Sequence, residues 1–393
     1  MKFKSNTEIL NELLNKVMPI VPKKASIVVL QYLFFDLHDN NLKVIATNEE
    51  LSIQTIIEVD GIEDGKILVP AKKFAEIVGA FGKSGEVSFS ANENNSEIQI
   101  NFGKGKYKFS GIEYSEFVDI DYLFGPIQPL ANGIEAGDEV LSAEFEPGEF
   151  SKISDRNLFA VSTEDYKPAM TGVLFQFRGT TLTTVSTDGF RLNRYIIKKE
   201  NQIYPEQFDV IIPANSLEFL KKVNSQCKMV VIKQDLAPKF LRFEYDNTLF
   251  TTRIITEKFP PYETIIPTNY QHKALVPLNE LSTLIKRTSI FANTINKLVI
   301  LYFNENELSI KVQNDETGEY AEESLPCEFN SIDFEIGVRH DYFLQALQHV
   351  SYQKEEQEDI VELKFNDPIK PYIVCPKDEY DTFLMLNMPV RYK

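Results

Sequence analysis

Few residues of this sequence have the type and spacing that catalysis needs. The stretch "GAFGKSGE" contains the Gly-Lys-Ser of a phosphate-binding loop, but two residues separate Gly79 from Gly82 where such a loop has four. Four histidines are spread along the chain: His38, His272, His340 and His349. The last two are nine residues apart on a predicted helix and therefore lie on opposite faces. We expect no nucleotide site, no metal, no cofactor and no enzymatic activity.

The cysteines and the common catalytic motifs support the same expectation. Cys227, Cys327 and Cys375 are far apart and form no C-x-x-C pair, so neither a disulfide framework nor a zinc site is predicted, and we expect reduced thiols. No Gly-x-Ser-x-Gly or His-Glu-x-x-His motif is present. The stretch "VSTDGFRLNRYIIKK", residues 185–199, joins an Asp-Gly turn to two arginines and an apolar run. It fits a catalytic loop, a phosphate cradle or a binding surface.

Length and composition predict a soluble protein of several domains. The chain has 393 residues, for which two to four domains are expected, and 43% of them are hydrophobic. No apolar run approaches the roughly 18 residues of a membrane span, and the N-terminus has no apolar signal-peptide core, so we expect a cytoplasmic protein. The net charge of -17 argues against a nucleic-acid partner unless the basic residues gather on one surface.

A helix-start pattern recurs six times. Strand-like segments run into helical ones at turn positions that are 62 to 76 residues apart: Ser5, Pro70, Glu146, Pro213, Pro277 and Arg339. The fourth residue after each turn position is apolar: Ile9, Phe74, Phe150, Leu217, Leu281 and Phe343. Apolar residues at helical spacing share one face, and proline is common beside a helix start. The pattern predicts helices within 5–24, 70–83, 147–162, 213–228, 277–297 and 339–354.

The segments between these helices alternate apolar and polar residues, which predicts antiparallel strands. We interpret 42–59, 172–199 and 297–327 each as two strands around a polar turn, "TNEE", "RGT" or "NEN". Paired, the six units predict an α+β fold of three similar domains, each of two helix-plus-antiparallel-sheet repeats: 1–132, 133–267 and 268–393. The segments 124–139, rich in Pro and Gly, and 267–273 are the predicted linkers.

Basic residues concentrate in the predicted helices. These windows hold 16 Lys or Arg against 8 Asp or Glu, whereas the rest of the chain holds 25 against 50. Adjacent basic pairs stand away from the apolar positions: Lys72 with Lys73, Lys221 with Lys222, and Lys286 with Arg287. A solvated helix face explains any single pair. Helices gathered on one side of a sheet would instead present a basic surface suited to a phosphate backbone.

The whole chain resembles the bacterial DNA polymerase III beta subunit, the sliding clamp. The resemblance is carried, in order, by "RNLFAVSTEDYKPAMTGVLF", "VSTDGFRLNR", "KFPPYETIIP" and the terminal "LNMPVRYK". It implies a DNA-clamp fold and a head-to-tail homodimer that closes a six-domain ring, with helices lining a hole around duplex DNA. The implied role is that of a non-enzymatic processivity factor.

The resemblance also implies a pocket for a short linear motif of partner proteins: the DNA polymerase III catalytic subunit, the clamp loader and other clamp-binding proteins. The matching positions are Met170, Thr187, Gly189, Phe190, Arg191, Leu192, Pro260, Thr264, Ile265, Leu386, Asn387, Met388, Pro389, Val390 and Arg391. Leu192, Ile265 and Leu386 could also be ordinary core. Three residues depart from the family pattern: Phe190 stands for a frequent His, Thr264 for a basic residue and Asn387 for an apolar one. Residues 392–393 lengthen the tail.

Two further sets follow from charge and resemblance together. The residues expected to face DNA are Lys24, Lys72, Lys73, Lys152, Lys221, Lys222, Lys286 and Arg287. The dimer seam is expected at Tyr107, Phe109, Ile290 and Phe291, which could equally be core. Two rival interpretations stay open: a repeat-built scaffold that binds peptides without DNA, and a DNA-processing enzyme.

Overall fold

A computed structural model of the chain describes residues 1–82, 84–92, 96–125, 141–201, 204–234, 237–350 and 359–392. Within these ranges lie seven helices: α1 (Thr7–Val17), α2 (Ala71–Ala80), α3 (Asp121–Phe124), α4 (Glu149–Asn157), α5 (Ala214–Leu220), α6 (Leu278–Thr288) and α7 (His340–Val350). The six predicted helices are confirmed as α1, α2, α4, α5, α6 and α7. Each is shorter than its predicted window, and the four-residue α3 was not predicted.

The helix starts follow from local chemistry. At α1 the side-chain oxygen of Asn6 accepts a hydrogen bond from the backbone N–H of Ile9 at 2.8 Å, which satisfies one of the free amides of the first turn. Proline directly precedes α2, α5 and α6, at Pro70, Pro213 and Pro277. A proline is well tolerated at a helix start, since few backbone groups there have intrahelical partners.

The predicted core positions are buried in five of the six helices. Phe74, Phe150, Leu217, Leu281 and Phe343 are at most 1% exposed: these are the residues that the spacing selected. In α1 the prediction was wrong by one residue, since Leu10 is fully buried and Ile9 only partly. The reason is that α1 begins after Asn6 and not after Ser5, so its apolar stripe is shifted by one position.

The described residues form 26 strands: β1 (Lys2–Asn6), β2 (Tyr32–His38), β3 (Asn41–Thr47), β4 (Leu51–Glu58), β5 (Asp60–Glu63), β6 (Gly65–Pro70), β7 (Glu86–Ala91), β8 (Glu97–Phe102), β9 (Gly105–Ser110), β10 (Ser142–Phe145), β11 (Gly172–Arg178), β12 (Thr181–Thr187), β13 (Arg191–Lys198), β14 (Phe208–Pro213), β15 (Cys227–Gln234), β16 (Ala237–Tyr245), β17 (Thr248–Arg253), β18 (His272–Pro277), β19 (Leu298–Asn304), β20 (Glu307–Asn314), β21 (Glu319–Pro326), β22 (Glu328–Phe329), β23 (Asp333–Arg339), β24 (Ile360–Phe365), β25 (Tyr372–Pro376) and β26 (Phe383–Asn387). The predicted pair in 42–59 is confirmed as β3 and β4. The other two predicted pairs are triplets, because "TDGF" and "DETG" are also turns.

The chain divides into two compact units. The first comprises 1–149 and 222–254, and the second comprises 150–221 and 255–393. In the first unit a five-stranded sheet has the order β5-β1-β7-β8-β9, and an eight-stranded sheet has the order β10-β15-β16-β17-β4-β3-β2-β6. Helices α1 and α2 pack against each other in this unit. The ring of Phe74 in α2 meets Phe35 and Phe89 edge-on at 5.4 and 6.2 Å.

The second unit contains the other two sheets. A nine-stranded sheet has the order β14-β11-β12-β13-β26-β25-β24-β18-β22, and a four-stranded sheet has the order β21-β20-β19-β23. The last strand, β26, lies between β13 and β25, with Leu386 opposite Leu192 on one side and Ile373 on the other. Helices α6 and α7 pack against each other over a large apolar core that includes Leu281 and Phe343.

The predicted domain boundaries stay a prediction. The boundary at 132/133 and most of the linker 124–139 lie outside the described residues. The predicted central domain, 133–267, contributes 150–221 to one compact unit and 222–254 to the other. Among the described residues, every helix is too short or too polar to cross a membrane.

Candidate partner-binding site

The turn between β12 and β13 is held by its own side chains. Thr187 Oγ1 donates to the carbonyl of Arg191 at 2.7 Å and accepts from the N–H of Gly189 at 3.1 Å. Asp188 Oδ1 accepts from the N–H groups of Phe190 and Arg191 at 2.9 and 3.0 Å. Gly189 has φ +93°, a backbone conformation that residues with a Cβ rarely adopt. The turn therefore projects Phe190, which is 57% exposed, from a rigid base.

The same turn occurs between β3 and β4. Thr47 Oγ1 donates to the carbonyl of Leu51 at 3.2 Å and accepts from the N–H of Glu49 at 3.1 Å, while Asn48 takes the place of the aspartate. Glu49, with φ +74°, stands where the other turn has Gly189. The chain thus uses the same turn geometry twice. The turn between β12 and β13 differs from the one between β3 and β4 in carrying Phe190 and Arg191.

Arg191 ties this turn to helix α7 and to the 3₁₀ turn Leu158–Ala160. Its guanidinium donates to Asp188 Oδ2 at 3.0 Å, to the side-chain oxygen of Gln345 and to the carbonyl of Phe159. It also lies 4.3 Å from the ring centre of Tyr342, a favourable cation–π distance. Only 11% of the Arg191 side chain is exposed. Arg191 therefore stabilises the loop through buried contacts and is not a free cation at the edge of a pocket.

The floor of the site is formed where β13 pairs with β26. Leu192 lies opposite Leu386, and both are buried in an apolar cluster with Phe259 and Tyr262. Side chains alternate along a strand, so Asn387 faces away from Leu386, on the side of Phe383 and Met385. The Asn387 amide is 2% exposed, and within the described ranges its Nδ2 has no hydrogen-bond partner. Leu192 and Leu386 are therefore buried core residues beneath the junction of β13 and β26.

Three residues of the predicted set are both apolar and exposed, and we call them the rim. Phe190, Ile265 and Met388 are large hydrophobic residues that are 57%, 46% and 40% exposed, and Met388 donates its N–H to the Phe190 carbonyl at 2.9 Å. The exposed members of the predicted set are Gly189, Phe190, Thr264, Ile265, Met388 and Arg391. The partly buried members are Met170, Arg191, Pro260, Pro389 and Val390, and the buried ones are Thr187, Leu192, Leu386 and Asn387.

The C-terminal tail after β26 is docked on the edge of β23. Val390 donates its N–H to the Gly337 carbonyl at 2.8 Å, and the Tyr392 hydroxyl donates to the Glu335 carboxylate. Gly337 permits this approach: a Cβ built there would lie 2.6 Å from the Val390 carbonyl oxygen and 2.6 Å from the Tyr392 ring. The rim residue Met388 is therefore anchored on both sides, by the turn at Phe190 and by the tail on β23.

Sequence reasoning missed the contribution of α7. Arg339 and Arg191 both lie over the ring of Tyr342, at 4.5 and 4.3 Å, and Arg339 is also paired with Asp341 at 2.8 Å. Burial tends to raise the pKa of Asp341, but hydrogen bonds from Arg339 and a lysine outweigh burial and lower the pKa to about 2. The helical spacing of Tyr342 and Gln345 was the available signal, since residues three apart share a face.

The residues expected to face DNA differ in how available their charges are. Lys24, Lys72, Lys73, Lys152, Lys222 and Lys286 are exposed. Lys221 is paired with Asp155 at 2.7 Å, and the hydrogen bond to this carboxylate raises the pKa of the lysine. Arg287 makes two hydrogen bonds to Glu323 of β21. These two cations are partly neutralised, so the six exposed lysines carry most of the accessible charge.

The residues expected at a dimer seam belong to a sheet edge and to the end of a helix. β9 is the terminal strand of its sheet, and its Tyr107 is 40% exposed while Phe109 is partly buried. Ile290 and Phe291, in the 3₁₀ turn after α6, are 77% and 39% exposed. All four residues have solvent-exposed area that an interface could bury, and Ile290 is not a core residue.

The three cysteines are poor candidates for chemistry. They are free and buried, and burial raises the pKa of Cys227 to about 12 and of Cys327 to about 11. Such thiols stay protonated near neutral pH and are poor nucleophiles. In the described part of the chain, no group of three or more His, Cys, Asp or Glu residues could hold a metal ion.

Comparison with solved structures defines the class of fold. A crystal structure of the DnaN sliding clamp of Pseudomonas aeruginosa bound to griselimycin aligns over 100% of both chains with a TM-score of 0.86 and 22% identity. A putative DNA polymerase III beta subunit of Eubacterium rectale aligns over 100% of both chains with a TM-score of 0.84 and 22% identity. The protein thus has the α+β DNA-clamp fold of three similar domains.

Sequence comparison gives the family. Three family models match in order: DNA polymerase III beta subunit, N-terminal domain, at residues 1–121, central domain at 144–261, and C-terminal domain at 263–391. The beta sliding clamp of Chlamydia pneumoniae is 27% identical over 100% of this chain and 99% of its own length, and that of Staphylococcus epidermidis is 26% identical over 96% of both. The chain belongs to the DNA polymerase III beta subunit family, the beta sliding clamps. It is a processivity clamp and not an enzyme, and the resemblance found in the sequence is confirmed.

Proposed function

We propose that two copies of this chain join head to tail into a closed ring around duplex DNA and tether replication proteins to it. The observation that carries the proposal is a set of exposed lysines in a chain whose net charge is -17. Lys72, Lys73, Lys152 and Lys286 lie in helices, whereas Lys24 and Lys222, which were predicted to be helical, lie beyond the ends of α1 and α5. Lysines that attract phosphates without base contacts give binding that is independent of DNA sequence and weakens with salt. Such diffuse attraction leaves a ring free to slide. We place the protein in the cytoplasm, with the nucleoid.

We propose that Lys24, Lys72, Lys73, Lys152, Lys222 and Lys286 provide most of this attraction, while Lys221 and Arg287 provide less because of their carboxylate partners. The Lys72 side chain is 88% exposed, and its nearest carboxylate, on Glu76, is 4.0 Å away. An exposed pair of this kind is worth little and exchanges readily for a phosphate.

The test of the ring is topological. The clamp is loaded onto nicked circular DNA with its loader and ATP, and the circle is then linearised. A ring linked to DNA stays bound to the circle at high salt and slides off the linear form. Equal retention on the two forms would contradict a topological link, whatever the affinity.

We propose that the dimer seam joins edge strand β9 of one copy to edge strand β21 of its partner. Both are terminal strands with unpaired backbone groups on one side, which favours strand addition. Their charges are complementary, since β9 and its turn carry Lys104, Lys106 and Lys108 whereas β21 carries three glutamates. Tyr107, Phe109, Ile290 and Phe291 supply apolar area to the same seam.

We propose that the turn 187–192, the segment 260–265 and the tail 386–391 receive a short apolar motif of the DNA polymerase III catalytic subunit, the clamp loader and other partners. The support is the exposed apolar rim of Phe190, Ile265 and Met388 above a buried apolar floor. Deleting 388–393 is expected to abolish binding of the cognate polymerase and to leave the dimer intact by sedimentation. Normal polymerase binding by the deleted form would contradict the pocket.

One experiment separates this function from a peptide-binding scaffold without DNA. Glutamate replaces four lysines, Lys72 and Lys73 in α2 and Lys221 and Lys222 directly after α5. A matched variant reverses four exposed lysines on strands and turns: Lys198, Lys228, Lys370 and Lys377. The first variant is expected to lose loading and keep polymerase binding, and the second to keep both. Equal loading by the two variants would favour the scaffold.

A further inference from the structure

The sulfur-bearing side chains of the protein differ in how much solvent reaches them. The chain has three cysteines and six methionines. All three cysteines and three of the methionines are buried: Cys227, Cys327, Cys375, Met1, Met229 and Met385. Met18 and Met170 are partly buried, whereas Met388 is 40% exposed. An oxidant in solution therefore reaches Met388 more readily than any other sulfur-bearing side chain.

The cysteine thiols compete poorly for an oxidant. The thiolate, and not the thiol, is the reactive form of cysteine. Burial raises the pKa of Cys375 to about 12, as it does for Cys227, so these side chains are protonated at neutral pH as well as inaccessible. A methionine thioether does not ionise, and its oxidation therefore depends on access to the sulfur.

Met388 stands where a change of polarity would matter for partner binding. It is a rim residue, together with Phe190 and Ile265. Its backbone N–H donates to the Phe190 carbonyl at 2.9 Å, and two residues further on the Val390 N–H donates to the Gly337 carbonyl at 2.8 Å. The backbone on both sides of the thioether is thus fixed, and the side chain stays at the surface that an apolar partner motif would cover.

We propose that Met388 is an oxidative modification site through which a two-electron oxidant, hypochlorous acid, weakens the binding of partner proteins. Hypochlorous acid transfers its oxygen atom to the thioether sulfur. The sulfur loses two electrons, the chlorine is reduced to chloride, and one proton is released. The product is methionine sulfoxide. In the reverse reaction two thiols of a methionine sulfoxide reductase system become a disulfide, and the sulfoxide oxygen leaves as water.

The effect on binding follows from the chemistry of the rim and rests on the proposed partner-binding function. A sulfoxide is polar, and in the free clamp water solvates it. A partner motif that covers the rim removes this water, and the side chains of Phe190 and Ile265 have no hydrogen-bond donor to replace it. Burying a polar group without a hydrogen bond is unfavourable, so we expect the affinity for the motif to fall about fivefold to a hundredfold.

The test treats the full-length clamp with increasing amounts of hypochlorous acid. Proteolysis and mass spectrometry then give the order in which the methionines gain oxygen. Fluorescence anisotropy gives the Kd for a methionine-free peptide that carries the clamp-binding motif of the cognate polymerase catalytic subunit. Met388 is expected to be oxidised first, and the affinity is expected to fall in step with its oxidised fraction. Methionine sulfoxide reductases for both sulfoxide epimers, supplied with a dithiol, should restore both, and peptide bound before the treatment should slow oxidation of Met388.

Two variants locate the effect. Met388→Leu is compared only with its own untreated form, and the peptide is expected to bind this variant equally before and after treatment. The matched control is Met18→Leu, at a partly buried methionine after α1 in the other compact unit. This control should bind the peptide as wild type does and lose affinity on oxidation to the same extent.

Three outcomes would overturn the proposal: earlier oxidation of another methionine, an unchanged Kd when Met388 is fully oxidised, or an equal loss of affinity in treated Met388→Leu. A fourth outcome concerns the partner site itself. If untreated wild-type clamp fails to bind the peptide, the partner pocket is contradicted and the effect on affinity falls with it. The order of oxidation is read without any peptide, so it separates this failure from a wrong assignment of the modified residue.

Discussion

Replacing Gly337 with alanine tests whether docking of the tail shapes the partner site. The added methyl group would stand 2.6 Å from both the Val390 carbonyl oxygen and the Tyr392 ring, and 2.9 Å from a methyl group of Leu298. The Val390 and Tyr392 atoms belong to the tail, which can move away from β23. The Leu298 methyl group belongs to the paired strand β19, which cannot. We expect relief of the clash by partial undocking of residues 388–392.

The size of the effect follows from two opposing contributions. The tail is held by the Val390 and Tyr392 hydrogen bonds, each worth about 0.5–1.5 kcal/mol net. Overpacking by one methyl group costs about 1–3 kcal/mol. The hydrogen-bond stabilisation and the overpacking cost nearly cancel. We therefore expect the tail to stay docked in only about one half to one tenth of the molecules. The apparent affinity for a partner motif falls by the same fraction, about twofold to tenfold.

The assay is a fluorescence-anisotropy titration of a peptide that carries the clamp-binding motif of the cognate polymerase catalytic subunit. A thermal melt of the same sample accompanies it. The control is Gly79→Ala in α2, where an added Cβ meets no heavy atom within 4 Å and alanine favours the helix by up to about 1 kcal/mol. The Gly337 variant should keep a cooperative melt and bind more weakly, while the control binds as wild type. An unchanged Kd for the Gly337 variant would refute the inference that the docked tail preorganises the site.

Three other outcomes are expected. Lys72→Glu with Lys73→Glu should reduce the rate of loading onto circular DNA and flatten the salt dependence of that rate without changing peptide Kd, and an unchanged loading rate would remove α2 from the DNA-facing set. Lys106→Glu should weaken the dimer about fivefold in sedimentation at low salt and less at high salt, and an unaltered dimer constant would place the seam elsewhere. Because the pKa of Asp341 is lowered to about 2, its carboxylate stabilises the fold above its unfolded pKa of about 3.9, and this contribution is lost as pH falls toward 2. Asp341→Asn should therefore lower Tm at neutral pH and reduce its loss on acidification; parallel Tm curves would contradict the role of the pair with Arg339.

Much of the fold could be predicted from local sequence patterns. The helical spacing that selected Phe74, Leu217 and Leu281 depends only on neighbours within two turns, and these residues are fully buried. The error at Ile9 has an equally local cause, because the capping residue Asn6 decides where the stripe begins. The Asp-Gly turn inside 172–199 was recognised but was not used to divide that segment into three strands. The turn "DETG" inside 297–327 was read as part of a strand, since polar residues also face solvent from an edge strand.

Long-range pairing was beyond sequence reasoning. Nothing near Leu386 indicates that it lies beside Leu192, which is 194 residues away. The orientation of Arg191 toward Gln345 and Phe159 depends on this pairing, because β13 must first be fixed against its neighbours. Resemblance could place Asn387 in the partner site, but only the alternation along β26 places it on the face opposite Leu386.

The position of β26 has a consequence for how the chain folds. Residues 383–387 fill the slot between β13 and β25, two strands that precede β26 in the sequence. Until β26 is inserted, the two strands that flank the slot have open edges, and open edges recruit other strands. A chain in which β26 fails to insert would therefore lack the candidate site and also be prone to aggregate.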